Sequence, residues 1–404
     1  MRVVYERCCG LDVHKKTVVA CLVTPTGKEL RTWNTMTADL LAMLAWLREH
    51  DCQMVAMEST GSYWKPIYNL LEADGLPAMV VNAQHIKAIP RRKTDIKDAE
   101  WIADLLRHGL VRASFIPPRD QRELAELVRY RRSLVEMRSS EVNRIQKVLE
   151  GANIKLGSVI SNVVGVSGRA MLERLVAGDQ DTQAMAALAY RTIRANKQDI
   201  ARSLEGVMAD HQRWILRQQL GLIDELNRRI AAVETEIGRR LTTEEPVLER
   251  LMTIPGVGRQ TAQEIIAVIG TDMSRFPTHR HLASWAKLCP GLHESGGRHT
   301  NAPSGPGHKL LRSTLTEAAR SLPRSQTYLG AQFRRIAQRR GGKVAAIAVA
   351  HSILIICYYI IRDRTTYHDL GPNYFDVRDK ERVIRRCAKR IEQLGKHVTI
   401  TDAA

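Results

Sequence analysis

The order of strand and helix patterns over the first hundred residues limits the possible folds more than any other feature of this sequence. Short apolar segments that predict β-strands occupy residues 8–13, 17–25, 28–35, 53–59 and 77–83. Helical apolar spacing separates the third, fourth and fifth strands, and it returns in the segment after the fifth. Three strands followed by alternating helices and strands predict an α/β domain with a mixed sheet.

A long helical region begins at about Pro117. Apolar residues recur there every seven positions, at Val128, Val135, Val142 and Leu149, and later at Leu216, Ile223, Ile230 and Ile237. Heptads of this kind predict helices packed as a coiled coil. Arg131 and Arg138 interrupt the first seam, so ordinary amphipathic packing within one bundle is the alternative for that stretch. Residues 154–205, between the two stretches, also have a helical pattern.

Charge and cysteine usage narrow the class of protein. The 404 residues include 61 Lys+Arg against 43 Asp+Glu, for a net charge of +18. Such an excess is typical of proteins that bind a polyanion, although a generally basic soluble protein would share it. The seven cysteines show no CxxC spacing, and the N-terminus shows no signal-peptide pattern, which together favour a reducing cytoplasm. The apolar run Val344–Ile361 is interrupted by His351 and Ser352, so we interpret it as a buried core helix and expect no membrane association.

Two carboxylates lie at the start of the last helix of the α/β region. Asp95 and Asp98 are three residues apart and therefore share one face of that helix. Like charges this close repel unless a cation lies between them, and a divalent metal ion is the usual partner. Two solvated carboxylates that favour the positive end of the helix dipole are the alternative. Lys93 and Lys97 beside the pair are candidates for phosphate contacts.

Two further acids favour the metal interpretation. Asp12 follows an apolar strand, where a charge is costly to bury, and Glu58 ends another apolar strand. One acid on the first strand, one on the strand after the first helix and two on a later helix can converge at one sheet edge. We interpret this as a ribonuclease H-like arrangement in which the four carboxylates hold two Mg²⁺ ions for phosphodiester cleavage. Oxygen ligands favour Mg²⁺, or Mn²⁺, over zinc.

A Pro-Gly turn follows the second heptad stretch. The segment Leu251–Gly270 resembles a helix-hairpin-helix element, with Pro255–Gly258 as the hairpin. The exposed backbone amides of such hairpins, and the N-terminus of the helix that follows, bind phosphate oxygens. Gly256, Gly258 and Arg259 are therefore candidates for contact with a nucleic-acid backbone. A plain turn between two helices is the alternative.

A segment rich in glycine, histidine and serine spans Cys289–Arg312 and reads as a loop that ends in a helix. Ser295 is followed by two glycines, so it is sterically open as a candidate nucleophile. Arg298, Lys309 and Arg312 are candidate phosphate clamps. Most loop serines are simply solvated, so the residues by themselves leave both roles open for Ser295.

Five motifs together resemble the transposases of the insertion sequence 110 family. They are GLDVHK (10–15), MESTGSYW (57–64), KTDIKDAEWIADLL (93–106), IPGVGRQTA (254–262) and PGLHESGGRHT (290–300). The resemblance extends to about Arg364, and the order and spacing of the first three motifs are specific. One departure lies in Ser304–Arg312, where the family often has Ser-Lys-x-Gly-Asn-x-x-Leu-Arg and this chain lacks the Lys and the Asn.

The resemblance implies a domain organisation. Residues 1–114 would form a RuvC-like domain with the DEDD set, and 115–246 a helical coiled-coil region that supports oligomerisation. Residues 247–335 would form a mainly helical transposase domain that carries the serine and the helix-hairpin-helix, and 336–404 C-terminal helices with a basic tail.

The resemblance also implies a mechanism and partners. Ser295 would attack a DNA phosphate to form a covalent 5′-phosphoserine link, assisted by Mg²⁺ held by the DEDD set, which corresponds to Asp12, Glu58, Asp95 and Asp98. A structured bridge RNA would pair with donor and target DNA, and four copies would assemble with composite active sites. The protein would act in the cytoplasm, on the nucleoid.

Two other functions fit the same residues. In a purely hydrolytic junction nuclease of the RuvC type, the acids and Mg²⁺ would act while Ser295 stays idle. In a non-catalytic nucleic-acid-binding protein, the acids would be solvated or structural and only the basic surfaces would matter.

Overall fold

A five-stranded mixed sheet forms the centre of the first of the chain's two units, residues 1–117, and the second unit comprises residues 118–404. The computed structural model describes residues 2–59, 61–81, 96–191, 193–289, 291–295, 298–302 and 307–401, with the backbone alone for 96–97, 291–295 and 298–302. The strands are β1 (Cys8–Val13), β2 (Thr17–Thr24), β3 (Gly27–Asn34), β4 (Met54–Glu58) and β5 (Ala78–Val81). Their spatial order is β3-β2-β1-β4-β5; β2 is antiparallel to β1 and β3, whereas β4 is parallel to β1 and β5. The prediction of an α/β domain with a mixed sheet is confirmed.

Helices cover both faces of this sheet. They are α1 (Thr37–Glu49), α2 (Trp64–Asp74) and α3 (Ile96–Arg107). Every residue of β1 is buried, so the alternating side chains of this strand enter two separate cores. Leu11 packs in the core formed with α1 and α2, whereas Cys8 packs with Ala99 and Ala103 of α3 on the opposite face. The first unit therefore has three layers, with the sheet in the middle.

Two long helices lie side by side in the second unit. They are α4 (Arg119–Gly151) and α9 (Asp210–Arg240). The helices run in opposite directions, because Glu123 near the start of α4 pairs with Arg240 at the end of α9 at 2.9 Å. Arg138, in the middle of α4, contacts Asn227 in the middle of α9 at 2.7 Å. The apolar residues of the second heptad stretch therefore pack mainly inside their own chain. Among them, Leu216, Ile223 and Ile237 are buried.

The first heptad stretch follows its repeat only in part. Val128 and Leu149 are buried, but Val135 is 40% exposed. Arg131, an alternate seam position, is only 2% exposed. α4 therefore has two packing partners along its length, and a single repeat cannot face both of them.

Four short helices join α4 to α9. They are α5 (Leu156–Val159), α6 (Val166–Val176), α7 (Thr182–Ala187) and α8 (Lys197–Leu204). Their buried residues, such as Met171, Leu172 and Ile200, share one apolar cluster with Leu149 and Leu216 of the long helices. The helical character predicted for residues 154–205 is confirmed, but it is divided into short segments that build a small subdomain on the end of the helix pair.

The remainder of the second unit is mainly helical. The helices are α10 (Glu245–Met252), α11 (Arg259–Ile269), α12 (His279–Trp285), α13 (Lys309–Arg320), α14 (Tyr328–Arg340), α15 (Gly342–Asp363), α16 (Tyr374–Arg378) and α17 (Lys380–Glu392). One element departs from the sequence interpretation, because the segment expected to be a loop contains a two-stranded antiparallel sheet of β6 (Gly291–Ser295) and β7 (Arg298–Ala302). In the basic tail, α17 is one continuous helix, and Asp379 separates it from the short α16.

α15 is the apolar run whose identity as a core helix was predicted. Among the described residues it is the one helix long and apolar enough to cross a membrane, and 56% of its apolar window is buried inside the protein. Ala346, Val349 and Ile353 are fully buried, and the helix packs against α13 and α14. Its apolar composition is accounted for by these contacts. All seven cysteines are free thiols.

Candidate functional site

Asp12 and Glu58 lie at the same end of two neighbouring strands. β1 and β4 are parallel and pair Leu11 with Met57, so Asp12 and Glu58 are the next residue on each strand. Residues in register on adjacent strands are about 4.8 Å apart and point to the same face of the sheet. The two acids singled out from separate apolar segments are therefore brought together at one sheet edge.

The start of α3 lies toward that same edge. Cys8 Sγ is 3.8 Å from the carbonyl oxygen of Ala103, near the end of α3. Two residues further along β1, a Cβ placed on Gly10 would lie 2.4 Å from the carbonyl oxygen of Ala99, one turn earlier in α3. β1 and α3 therefore run in opposite directions. Asp98, in the first turn of α3, lies toward the strand end that carries the acidic pair.

For three residues of the predicted site the structure gives no side-chain position. Asp95 and Lys93 lie outside the described residues, and Lys97 is described by its backbone alone, in the first turn of α3.

Gly10 permits the close approach of α3 to the sheet, and its replacement by alanine is expected to destabilise the first unit. The added methyl would lie 2.4 Å from two backbone atoms, of Ala99 and Ala103, which cannot rotate away. We expect Gly10→Ala to lower the free energy of unfolding by about 1–3 kcal/mol, measured by urea denaturation. Gly238→Ala is the matched control, since an added Cβ there meets no atom within 4 Å. An unchanged urea midpoint for Gly10→Ala would contradict this account of the contact.

Asp12 is the more buried of the two strand acids. The residue is 9% exposed, and its Oδ2 accepts a hydrogen bond from His14 Nε2 at 3.1 Å. The side chain of His14 is half exposed. Its imidazole therefore contacts the nearly buried carboxylate of Asp12 on one side and solvent on the other. Sequence reasoning assigned no role to His14, although it lies two positions after Asp12, a spacing that favours the same side of an extended chain.

The donors at this edge suit a hard divalent cation. Asp12 and Glu58 supply carboxylate oxygens, the ligand type that Mg²⁺ prefers. Within the part of the chain that the structure describes, no group of three or more His, Cys, Asp and Glu side chains could hold a metal ion. The fourth member of the predicted set, Asp95, lies outside that part, so the residues present fit Mg²⁺ as a partial ligand set.

The predicted phosphate-binding turn joins α10 to α11. Gly256 has φ +83°, and a Cβ there would lie 2.8 Å from the carbonyl oxygen of Ala318, so this position requires glycine on both counts. Gly258 caps the N-terminus of α11 with an extended backbone and open space around it. Arg259 makes a two-pronged ion pair with Glu245, at 2.5 and 2.7 Å. The backbone amides at the start of α11 are therefore held by a rigid turn beside an arginine that already has a carboxylate partner.

Ser295 lies at the tip of the β6–β7 hairpin. It is the last residue of β6 and pairs with Arg298, the first residue of β7. The hairpin thus presents the candidate nucleophile and one candidate clamp opposite each other across the turn. Lys309 is exposed in the first turn of α13, and Arg312 follows it one turn later.

His308 caps the N-terminus of α13. Its Nδ1 accepts a hydrogen bond from the backbone N–H of Leu311 at 3.4 Å, and its ring stacks on Trp285 with centroids 5.7 Å apart. Burial, with the positive charge of Arg129 as a smaller cause, lowers the pKa of His308 to about 4. The ring is therefore neutral near pH 7, with its proton on Nε2. His308 occupies the position where the transposases that this sequence resembles often have asparagine, itself a strong capping residue, so this departure preserves a cap.

A buried polar network connects the helices that carry these groups. Arg131 of α4 donates to Glu264 of α11 at 2.7 Å and to Gln263 at 3.2 Å. Thr314 of α13 donates to the other oxygen of Glu264. The side chains of Arg131 and Glu264 are 3% and 11% exposed. The two residues join α4 to the helix after the Pro-Gly turn and to the helix after the serine hairpin. From the sequence, Arg131 was interpreted only as an interruption of the apolar heptad repeat.

Two family models match the chain. A model of the DEDD transposase of IS110, described as "Transposase", matches residues 9–154, and a model described as "Transposase IS116/IS110/IS902 family" matches residues 248–334. The first match includes the acidic edge, and the second includes the Pro-Gly turn and the serine hairpin.

Proteins with similar sequences include a transposase, a gene-inverting protein and a protein of an insertion element. The transposase for insertion sequence element IS1111A of Coxiella burnetii is 24% identical over 89% of this chain and 90% of its own length. The pilin gene-inverting protein of Moraxella lacunata is 25% identical over 89% of this chain and 96% of its own length. A 43.6 kDa protein of insertion element IS110 in Streptomyces coelicolor is 32% identical over 35% of each chain. Both family models match in the expected order, and similarity extends over most of the chain, so this protein belongs to the IS110 family of transposases.

Proposed function

We propose that this transposase cleaves and rejoins DNA as the site-specific recombinase of an insertion sequence, through a covalent phosphoserine intermediate with Mg²⁺ assistance. The observation that carries the proposal is the convergence of Asp12 and Glu58 at one sheet edge, toward which the first turn of α3 also lies. Three elements far apart in sequence have no packing reason to bring acids to one edge, since like charges there repel. A shared cation is the physical reason for such an arrangement.

The proposed nucleophile is Ser295. Its Oγ attacks the phosphorus of a DNA phosphodiester, a bond forms between serine and phosphate, and the bond from phosphorus to the 3′ oxygen breaks. The hydroxyl proton is transferred, directly or through solvent, to the departing 3′ oxygen, so the products are a 5′-phosphoserine link and a free 3′-hydroxyl. Attack of a different 3′-hydroxyl on the link reverses these steps and joins new strands. The proposal is supported by the place of Ser295 as the last residue of β6, directly before two glycines in the sequence.

Asp12, Glu58, Asp95 and Asp98 are the residues proposed to hold Mg²⁺, or Mn²⁺ in its place. The metal, when bound, supplies Lewis-acid stabilisation of the negative charge that develops on the phosphate oxygens. The carboxylates of this chain would hold the cation at the sheet edge. His14, bonded to Asp12 Oδ2, fixes the orientation of this carboxylate.

DNA is proposed to be held mainly through its phosphates. The helix-hairpin-helix of α10 and α11 would bind a backbone phosphate through the amides near Gly256 and Gly258, with Arg259 beside them. Arg298, Lys309 and Arg312 would contact phosphates near Ser295, and Lys93 and Lys97 those near the acidic edge. The support for these contacts is the excess of positive charge, +18 over the whole chain, together with two helix N-termini at these positions.

Sequence choice and assembly complete the proposal. A structured bridge RNA would pair with donor and target DNA, so that base pairing rather than protein side chains would select the site, as in other guided systems. The helical region of residues 115–246 would support a homotetramer with composite active sites. The domain boundaries would fall at about residues 114, 246 and 335, and the protein would act on the nucleoid.

The test is a search for a covalent protein–DNA adduct on a denaturing gel, with purified protein, Mg²⁺, its co-expressed RNA and labelled donor DNA. Ser295→Ala is expected to remove the adduct completely, because no other group forms the phosphoester. Ser284→Ala, an exposed serine on α12, is the matched control and is expected to leave the adduct unchanged.

The two alternative functions predict different products on the same gel. Nicked DNA without adduct, unaffected by Ser295→Ala, would favour a hydrolytic RuvC-type nuclease and would make the serine assignment wrong. DNA binding without cleavage under any metal condition would favour a non-catalytic nucleic-acid-binding protein.

A further inference from the structure

The small helical subdomain between α4 and α9 contains a cavity that none of the proposed active-site residues lines. Its volume is 860 Å³, and it lies between the α5–α6 connection and the segment before α8. A second cavity of 610 Å³ adjoins it, because Val159 and Ala195 line both. The two form one open groove across this subdomain, and each cavity by itself has a volume typical of sites that bind small ligands.

The floor of this groove is apolar and fixed in shape. Ile160 is 4% exposed, and Gly168 is packed so closely that an added Cβ would lie 2.3 Å from the carbonyl oxygen of Val163. Ser167 is 7% exposed, and its Oγ accepts a hydrogen bond from the backbone N–H of Tyr190 at 3.0 Å. The backbone of Tyr190 is thereby anchored to α6. Its side chain nevertheless remains open to solvent at the groove, since the residue is 66% exposed.

Cations without an ion-pair partner in the described part of the chain lie along the groove, and the carboxylates of Asp199 and Glu205 line its smaller end. Among the described residues of the chain, no ion pair involves Arg191, Arg194, Lys197 or Arg202, all of which are exposed. Arg194 lines the larger cavity and Arg202 the smaller one. By contrast, Arg169 in the same subdomain pairs with both Glu173 and Asp224. The cations beside the groove therefore differ from ordinary structural arginines of this region, and they are free to meet an anion.

We propose that this groove binds an unpaired nucleotide of a single-stranded nucleic acid. The base would stack on the exposed ring of Tyr190 above the apolar floor, and the flanking phosphates would contact Arg194 and its neighbouring cations. An exposed aromatic ring next to unpaired arginines is the combination that single-strand binding requires, because every base offers a stacking face and every linkage a negative charge. A duplex does not fit, since its bases are already stacked. The proposal rests on the proposed function only in taking nucleic acid as the ligand of this chain.

The test uses the full-length protein and eight-nucleotide homopolymers, oligo(U) and oligo(dT), each with a fluorescent label. Tyr190→Ala is expected to weaken binding about tenfold in fluorescence anisotropy, the usual loss for one aromatic stacking partner. Tyr130→Ala is the matched control, because Tyr130 is 46% exposed on α4, away from the groove. For charge, Arg194→Ala is compared with Arg174→Ala, whose native side chain already pairs with Asp179. A preference for oligo(U) assigns the ligand to RNA, and a preference for oligo(dT) assigns it to DNA.

Photocross-linking locates the site independently of affinity. Oligonucleotides that contain 5-iodouracil are expected to cross-link to the peptide that carries Tyr190, and Tyr190→Ala is expected to remove this cross-link. Cross-links confined to other peptides, together with equal affinities for Tyr190→Ala and Tyr130→Ala, would overturn the proposal. Copurification of a peptide in the groove, displaced by neither oligonucleotide, would also overturn it.

The adduct experiment separates the two proposals. If wild-type protein forms the Ser295-dependent adduct and Tyr190→Ala binds oligonucleotides normally, the groove proposal fails and the recombinase proposal stands. If oligonucleotides bind through Tyr190 but no adduct forms under any condition, the recombinase proposal fails and the groove proposal stands.

Discussion

Replacing Asp12 by asparagine is expected to lower DNA strand cleavage at least about 100-fold, since loss of even a supporting residue around a catalytic metal costs about 10–100-fold. The substitution keeps the shape of the side chain and removes its charge, so the hydrogen bond with His14 can persist while the affinity for a divalent cation falls. Asp12 is 9% exposed, and removal of a buried negative charge is not expected to unfold the sheet.

The measurement is the rate of cleavage of labelled donor DNA at several Mg²⁺ concentrations, alongside the thermal unfolding temperature. Asp104→Asn is the matched control, because Asp104 lies on α3 in the same unit and pairs with Lys28 at 2.8 Å, at the opposite end of the helix. We expect Asp104→Asn to retain near-normal cleavage. Equal rates for wild type and Asp12→Asn, with both proteins folded, would exclude the acidic edge from the reaction.

Replacing Glu264 by glutamine is expected to lower the free energy of unfolding of the second unit by about 3–5 kcal/mol, the usual cost of breaking a buried ion pair. Arg131 would keep its full charge at 3% side-chain exposure without its carboxylate partner. Thr314 and Arg132 would lose the same anionic acceptor, at the oxygen that lies 3.5 Å from Arg132. The buried guanidinium, rather than any lost contact area, causes most of the effect.

Urea denaturation and a double-mutant comparison test this prediction. Glu236→Gln is the control, because Glu236 pairs with Arg239 and Arg240 at the surface, where such pairs contribute about 0–1 kcal/mol. The double variant Arg131→Met/Glu264→Leu is expected to recover most of the stability lost in Glu264→Gln, since no buried charge remains. A loss for Glu264→Gln no larger than that for Glu236→Gln would show that Arg131 finds another partner.

The network of Arg131, Glu264 and Thr314 lies between helices that carry proposed DNA contacts. Glu264 lies on the helix that follows the proposed phosphate-binding turn, and Thr314 lies on the helix that carries Lys309 and Arg312. The ion pair with Arg131 anchors both helices to α4. Glu264 is therefore a positioning residue, and its loss is expected to disturb both predicted phosphate contacts at once.

Local sequence patterns were sufficient to predict those strands and helices whose apolar residues are buried at regular intervals. The five strands of the first unit follow from short apolar runs, and α15 follows from one long apolar run. The hairpin that carries Ser295 could not be predicted this way, because its strands have no apolar alternation and are held by pairing across the turn. The first heptad stretch failed in part for a related reason. Val135 keeps the spacing but is exposed, while Arg131 breaks the spacing and is buried.

The candidate site, too, was predictable from the sequence only in part. The sequence by itself determined which carboxylates, glycines and serine are available, because each stands out against its immediate neighbours. Only the tertiary structure decided that Asp12 and Glu58 end adjacent parallel strands, that His14 bonds to Asp12, and that Arg131 meets Glu264 across 133 residues of chain. Those relations depend on strand order and helix direction, which are set by the packing of whole elements. A local pattern fixes which face of an element is buried, but it carries no information about which partner will bury it.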